Sequence, residues 1–228
     1  MTTPGKRAFS PFILPGATWR GRLLACLGAA AAICVTGYLS ALASGHDGHL
    51  PAIAGPIGAS ALLLFVIPAS PLAQPWPIIA GNTLSAAIGV VTAFLVPEPP
   101  VAIGAALGLA IAAMSFTRSL HPPGAAMALS AAMLGPPANA AGWLFPLMPV
   151  LANSVLLAAL GWLFHRISGH GWPHYAPAQP PMAATRIEPS DIDAALAETG
   201  ETFDIGRDDL EMLIRKAEAR AAVRTGRS

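Results

Sequence analysis

The stretch from Ser115 to Leu129 reads SFTRSLHPPGAAMAL, and it decides the fold. It contains Arg118, one of only three formally charged residues between positions 23 and 165. The two prolines that follow favour the first turn of a helix, because a proline nitrogen has no hydrogen to leave unpaired there. The stretch therefore predicts a new short helix over about 123–134, which the Gly-Pro-Pro sequence at 135–137 ends.

The composition around this stretch is that of a membrane protein. Of the 228 residues, 54% are hydrophobic and 11% are charged, and the mean hydropathy is +0.57. Soluble chains carry about 25% charged residues. The other two charged residues in the apolar region are Asp47 and Glu98. The uncharged runs that the three charged residues separate leave room for four to six membrane passes of about 20 residues each. The composition excludes intrinsic disorder and a basic nucleic-acid-binding surface.

The predicted fold class is an all-α polytopic membrane bundle. Four segments are long enough for full-length transmembrane helices, at about 23–42, 78–96, 101–116 and 143–165. Two half-helices started by prolines lie between them, one between Pro51 and Pro68 and one over 123–134. Each half-helix has about 12 residues and is about 18 Å long, which is shorter than the hydrocarbon core of about 30 Å.

Two structural repeats account for this order of segments. Pro56-Ile57-Gly58-Ala59 matches residues 122–125 at a shift of 66, and Gly81-Asn82-Thr83 resembles residues 152–154 at a shift of 71. Paired interrupted helices are the usual sequence indication of a transporter site. Two topologies remain open: re-entrant half-helices give four crossings and parallel halves, whereas half-helices that continue across give six crossings and inverted halves.

The remaining segments predict the domain organisation. Residues 1–22 form a basic amino terminus, 23–166 the transmembrane domain, 167–189 a linker rich in proline and alanine, and 190–228 an amphipathic helical tail. In the tail, Ser190 is the expected N-cap with Asp193 three residues on, and Gly200 ends the first helix. A second helix over about 207–223 pairs Glu211 with Arg215. Both termini are predicted to be cytoplasmic, and residues 190–223 are expected to dock on a cytoplasmic partner.

Three motifs, in the order expected of the family, resemble the HPP family of bacterial and plant integral membrane proteins. They are residues 57–61 (IGASA), 70–76 (SPLAQPW) and 119–126 (SLHPPGAA), and the resemblance spans about Arg20 to Arg166. The family motif corresponds to His121-Pro122-Pro123. The resemblance implies four membrane-spanning helices, a bacterial inner-membrane location and, from plastid and cyanobacterial members, nitrite transport. The tail resembles the connector to paired CBS domains in longer relatives, but no such pair follows here, so nucleotide-regulated gating is not carried over.

The functional hypothesis is a carrier or channel for a small inorganic anion of nitrite type. The amino termini of the half-helices, at 58–61 and 124–127, would present backbone amides and about half a positive charge each to the anion. Arg118 and His121 would add positive potential, and neutral donors such as Thr83 would complete the site. The predicted substrate-binding residues are Gly58, Ala59, Ser60, Asn82, Arg118, His121, Gly124, Ala125 and Asn153.

Several alternatives stand beside this hypothesis. The Pro-Gly-Ala helix starts also suit close helix packing, and Arg118 also suits a snorkelling residue at a helix end. His121 fits an ion contact, a proton-linked switch or a helix cap. The whole protein also fits a membrane anchor or sensor that recruits a partner through its tail.

The remaining sequence expectations concern catalysis, metals and assembly. No enzymatic constellation is present, and no cofactor or metal is expected. The His46-Asp47-Gly48-His49 loop is read as solvated rather than metal-binding. The expected partners are the lipid bilayer and the anion, with no nucleic acid, and a homo-oligomer is compatible with so small a scaffold.

Overall fold

The computed structural model describes residues 18–43, 53–138, 142–169, 171–174, 187–199, 205 and 207–225. The side chains of residues 135–138, 207, 208, 222 and 225 are not among those described. Contacts divide the chain into two compact units, residues 23–178 and residues 1–22 with 179–228. Each unit is considered by itself. The predicted loop at 46–49 lies outside the described residues.

Helices build the described part of the larger unit. They are α1 (Trp19–Ala43), α2 (Pro56–Val66), α3 (Asn82–Leu95), α4 (Pro99–Phe116), α5 (Pro122–Ala138) and α6 (Ala152–Ser168). Four helical segments are apolar and long enough to cross a membrane: Trp19–Ala43, Pro77–Leu95, Pro99–Phe116 and Gly142–Ser168. The helices α2 and α5 are the shorter apolar ones between them. The predicted all-α membrane bundle with four long and two short helices is therefore confirmed.

Local sequence explains where these helices begin and end. The helix α1 follows Thr18, whose Oγ1 accepts a hydrogen bond from the Gly21 amide at 3.1 Å, as an N-cap does. Prolines occupy the first positions of α2 and α4, where a missing amide hydrogen costs nothing. The helix α6 ends at Gly169, whose φ of 80° is the left-handed conformation that glycine adopts without strain.

Two predicted boundaries were wrong. The helix α5 does not end at the Gly-Pro-Pro sequence but includes it and continues to Ala138. A proline ring holds φ in the helical range, so near a helix end it removes one hydrogen bond without forbidding the helix. Similarly, the third long helix does not begin at about residue 101 as predicted, because Pro99 and Pro100 are the first residues of α4.

Both long segments that follow a short helix are irregular at their start. Residues Pro77–Gly81 form a π-helical turn directly before α3. Residues Pro146–Leu151 precede α6 and include a break at Met148, whose φ of −131° and ψ of 115° are not helical. Because these interruptions stand at matching places in the two halves, they extend the repeat inferred from the sequence.

Contacts along the long helices give their relative directions. In α1 and α6, a Cβ on Gly28 would meet the ring of Phe164, and Ser40 bonds to Asn153, so the two helices are antiparallel. The second pair is α3 and the segment that contains α6. Near the start of α3, Asn82 bonds to Ser154 of α6. Phe94, near the end of α3, packs on Trp143 in the earlier part of the Gly142–Ser168 segment, with ring centroids 5.3 Å apart. This segment therefore runs antiparallel to both α1 and α3, and α1 and α3 run in the same direction.

Contacts also determine the directions of the short helices. Ser60 of α2 is joined through Asn82 to Ser154, and the Leu64 carbonyl lies 2.9 Å from His165 Nε2, so α2 runs parallel to α6 and antiparallel to α1. The helix α4 is antiparallel to α3, since Trp76 Nε1 donates to the Thr117 carbonyl at 3.0 Å and only residues 96–98 join the two helices. In α5, Gly124 lies against Gly81 and Ala128 against Gly89, so α5 runs parallel to α3 and antiparallel to α4. Among the described residues, the helices α1–α6 therefore alternate in direction and the two halves are inverted, as they are in the six-crossing topology.

Glycines bring each short helix close to a long helix of the other half. A Cβ on Gly89 of α3 would overlap the carbonyl oxygen of Ala128 in α5. A Cβ on Gly161 of α6 would overlap the side chain of Leu64 in α2. The two glycines allow the same close approach of a short helix to the long helix of the other half.

The smaller unit contains α7 (Pro189–Thr199) and α8 (Arg207–Thr225). The helix α7 begins one residue before the predicted cap. The Asp191 carboxylate accepts from the Glu188 amide at 2.8 Å, so Ser190 lies inside the first turn. The predicted pair is confirmed: Arg215 Nη2 lies 2.6 Å from Glu211 Oε1.

Candidate functional site

A buried polar network joins four parts of the bundle. Ser60 on α2, Asn82 at the start of α3, His121 just before α5 and Ser154 on α6 are all 0% exposed. Ser60 Oγ lies 2.8 Å from His121 Nε2. Asn82 Nδ2 donates to Ser60 Oγ at 3.0 Å and to Ser154 Oγ at 3.3 Å. The starts of the two short helices therefore meet through side chains, as the sequence hypothesis requires.

The local structure explains how these side chains reach one another. A Cβ on Gly81 would lie 2.6 Å from the Ser119 carbonyl oxygen and 2.8 Å from the Cβ of His121, so only glycine admits this approach. Gly124 faces the same place from α5, where its Cβ would lie 2.9 Å from the Gly81 carbonyl oxygen. The two glycines thus bring His121 against the first turn of α3, beside Asn82.

Hydrogen-bond chemistry gives the network a direction. His121 Nδ1 lies 2.8 Å from the Leu72 carbonyl oxygen, which can only accept, so Nδ1 carries a hydrogen. In neutral His121 the other ring nitrogen, Nε2, is then an acceptor, and it takes the hydroxyl hydrogen of Ser60. Ser60 in turn accepts from Asn82. The hydrogens therefore all point from Asn82 through Ser60 to His121 and on to Leu72.

Two polar atoms beside this hydrogen-bond network have no partner among the described residues. They are Oδ1 of Asn82 and Oγ of Ser85, both on the buried face of α3. An unpaired buried polar atom costs about 1–3 kcal/mol. A network that ends in such atoms within an apolar bundle has unused capacity to bind a small polar group.

The predicted residue Asn153 lies close to this network but has its own partner. Its Oδ1 accepts from Ser40 of α1. Asn82 and Asn153 occupy equivalent positions of the two repeats, each just after an interrupted stretch of helix. Such interruptions are frequent at functional sites. Thr83, also proposed as a donor, is not in the network, because its Oγ1 donates to the Ile79 carbonyl at 2.7 Å.

Arg118 lies next to the network in sequence but is not part of it. Its side chain is exposed, and its φ is 53°, in the left-handed region. The Ser119 amide donates to the Met114 carbonyl at 2.9 Å and the Arg118 amide to the Ser115 carbonyl at 3.4 Å. This pattern is a Schellman motif, in which Arg118 takes the place usually held by glycine. It turns the chain from α4 towards His121.

The remaining predicted residues do not offer free backbone amides. Gly58 and Ala59 are exposed, and the Gly58 amide donates to the Gly55 carbonyl at 3.0 Å. The Gly124 amide donates to the His121 carbonyl at 2.8 Å. Ala125 packs against a cluster of small apolar residues from α4 and α5. Side chains rather than helix amides therefore form the polar centre.

Sequence reasoning missed two members of the site, Ser154 and Ser85. Ser154 follows Asn153 in the repeat segment, and Ser85 stands three residues after Asn82 on the same helical face. Both signals were present in the sequence. Serine is common in membrane helices as a packing residue, however, so neither signal identifies a site without the neighbouring helices.

The segment after α6 also packs within the larger unit. Trp172 is buried and its Nε1 donates to the Ala73 carbonyl at 3.1 Å, while the His174 amide donates to Gln74 Oε1 at 2.8 Å. These residues fall inside the stretch predicted as linker, 167–189. They hold the turn at Pro71–Ala73, whose Leu72 carbonyl receives the hydrogen of His121.

Comparison with known proteins gives one family and two relatives. The family model described as the HPP transmembrane region matches residues 14–173. A transmembrane protein of Dictyostelium discoideum is 37% identical over 115 residues, which cover 49% of this chain and 40% of the relative. A second from the same organism is 39% identical over 112 residues, covering 46% and 36%. The matched part spans about two fifths of each relative's length, and no solved structure matches the chain.

Proposed function

Since the chain belongs to the HPP transmembrane family, we propose that it transports a small inorganic anion of nitrite type across the membrane. The proposed site is the network of Ser60, Asn82, His121 and Ser154. One observation carries the proposal: within the described residues, this fully buried network ends in polar atoms that have no partner, at the place where both short helices and both interrupted helices meet.

The position of the network supports transport rather than a purely structural role. Polar side chains inside a membrane are expensive, and bundles that keep them use them for substrates, ions or helix contacts. A helix contact needs only paired groups, whereas Asn82 Oδ1 and Ser85 Oγ have no hydrogen-bond partner in the part of the chain that the structure describes. Transporters built from inverted repeats place their sites where the interrupted helices of the two halves adjoin. The inverted halves of this bundle fit that arrangement.

The charge pattern supports an anion over a cation. The sequence contains no aspartate or glutamate from 48 to 97 or from 99 to 187, so residues around the network supply no carboxylate to a cation. The ionisable groups nearest to it in sequence are His121 itself and Arg118, and both are basic. A small solute, such as a planar oxyanion of three or four atoms, suits the close glycine contacts at Gly81 and Gly124.

Uptake into vesicles tests the proposal. The full chain is reconstituted into liposomes, and nitrite and nitrate uptake are measured against empty vesicles. We expect saturable uptake of at least one of these anions. We expect at least a tenfold lower rate for Asn82→Ala, because the variant removes the amide that joins Ser60 to Ser154; tenfold corresponds to about 1.4 kcal/mol.

The control for this experiment is Thr92→Val on the same helix. Thr92 Oγ1 donates only to backbone carbonyls of α3, those of Ile88 and Gly89, so its loss leaves the network intact. Its uptake should stay within about twofold of the original rate. Absence of saturable flux for both anions, or equal flux through Asn82→Ala, would remove the proposed function.

A further inference from the structure

The direction of the hydrogen-bond chain conflicts with the binding of an anion by itself. With neutral His121, the hydrogens of Asn82 Nδ2 are used by Ser60 and Ser154, and the free end of the amide is the oxygen Oδ1. An amide oxygen accepts hydrogen bonds and carries partial negative charge. It therefore repels a nitrite-like ion, so the site must change before it binds one.

One proton on His121 reverses the direction of the hydrogen bonds in this network. If Nε2 of His121 gains a hydrogen, it donates to Ser60 Oγ, and the Ser60 hydroxyl must turn to another acceptor. The Asn82 amide, after a half-turn about its last side-chain bond, offers Oδ1 to Ser60 and Ser154. Its NH₂ group then occupies the free position that Oδ1 held. The same atoms thus present a donor in place of an acceptor, and every bond of the chain is kept.

We propose that each anion enters this site together with one proton, which His121 holds at Nε2 while the turned Asn82 amide donates to the anion. The inference rests on the proposed function and names the coupling ion of the same site. The proton comes from the aqueous side of entry and leaves with the anion on the other side. No covalent bond to the substrate forms or breaks.

The surroundings of His121 make a paired entry favourable and a single charge unfavourable. The elements packed against it are α2, the turn at Pro71–Ala73 and the Pro77–Gly81 stretch with the start of α3, and they carry no titratable side chain. Ser154 stands on α6, whose first titratable residue is His165. On the connection that contains His121, the charged residue is Arg118, which is exposed. A lone imidazolium or a lone anion would be buried without a countercharge, whereas the two together are neutral.

Ser60 has a second acceptor that makes the reversal easy to start. Its Oγ lies 3.4 Å from the Pro56 carbonyl oxygen, longer than the 2.8 Å to Nε2. The hydroxyl hydrogen can therefore leave Nε2 for the Pro56 carbonyl while the amide turns, so the Ser60 hydroxyl keeps an acceptor throughout.

The transport experiment uses the full chain in liposomes with nitrate, the anion of a strong acid that does not cross membranes as the neutral acid, and with nitrite in parallel. Entry of one anion with one proton moves no net charge. We therefore expect an initial rate that does not respond to a potassium diffusion potential and that rises up to about tenfold when the outer pH is lowered by one unit. Saturable uptake accelerated by an inside-positive potential and indifferent to the pH gradient would overturn the proton coupling but leave anion transport standing.

A binding experiment isolates His121. Nitrate or nitrite, whichever is transported, is added to the purified protein in weakly buffered detergent solution with a pH indicator. We expect uptake of about one proton for each anion bound. His121→Gln should still fold, since a glutamine amide can bond to both Leu72 and Ser60, but it should take up no proton and lose the pH dependence of uptake. Saturable anion binding without proton uptake by the original protein would contradict the proposal, and no binding or flux of either anion would contradict the proposed function itself.

Discussion

Arg118 combines a positive side chain with a backbone conformation that favours glycine. Its φ of 53° closes the Schellman turn at the end of α4, and its side chain points away from the buried network. A non-glycine residue in this conformation costs about 1 kcal/mol or more. The proposed contribution of Arg118 to function is therefore a long-range positive potential at the mouth of the site, separate from the contacts made by Ser60, Asn82 and His121.

Substitution at Arg118 separates the charge from the backbone strain. Arg118→Gly should leave the folded protein equally stable or up to about 1 kcal/mol more stable, since glycine adopts this conformation freely but loses more chain entropy on folding. Anion uptake should fall at least tenfold because the charge is gone, and Arg118→Lys should keep most of it. Thermal unfolding in detergent and vesicle uptake measure the two effects, and undiminished uptake by Arg118→Gly would show that the charge has no role in transport.

At the scale of elements, the short helices are held by glycines of the long ones. Gly89 lies against the α5 backbone, and Gly161 lies against Leu64 of α2. Because the obstacle at Gly89 is a backbone carbonyl, the neighbour cannot rotate away as a side chain could. The contact between α3 and α5 therefore sets the position of α5 and of His121 in front of it.

Two alanine substitutions test this contact. Gly89→Ala should destabilise the protein by about 1–3 kcal/mol, because the added methyl group forces α3 and α5 apart. Gly104→Ala is the matched control on α4: no atom of the described residues lies within 4 Å of its Cβ position, so it should be neutral or slightly stabilising. Thermal unfolding of both variants in the same detergent compares them. Equal melting temperatures would mean that α3 and α5 can separate without cost.

At the scale of the whole molecule, the alternating directions of six helices define the membrane topology. The start of α1 and the end of α6 lie on one face, since Gly28 stands beside Phe164. The end of α4, with Arg118, lies on that same face, and Glu98 lies on the opposite one. If the termini are cytoplasmic, as the sequence predicts, Arg118 faces the cytoplasm and obeys the positive-inside tendency.

Cysteine labelling tests this topology. The starting protein is a variant in which the two exposed cysteines of α1, Cys26 and Cys34, are replaced by serine. With a membrane-impermeant maleimide, Arg118→Cys should react from the side that carries an amino-terminal tag, and Glu98→Cys only from the other side. The reverse pattern, with Glu98→Cys on the side of the tag, is that of re-entrant half-helices and would contradict the six alternating directions.

The sequence by itself determined the membrane class, the number of long and short helices and the repeat, because apolar runs and proline positions act locally. It also indicated Ser60, Asn82 and His121, whose residue types are unusual in an apolar region. Only the tertiary structure decided that the halves are inverted, that the Gly58 and Gly124 amides are occupied and that Ser154 completes the network. These properties depend on contacts between residues far apart in the sequence, such as Ser40 and Asn153, which are 113 positions apart, and on the direction of each hydrogen bond, which neither composition nor periodicity records.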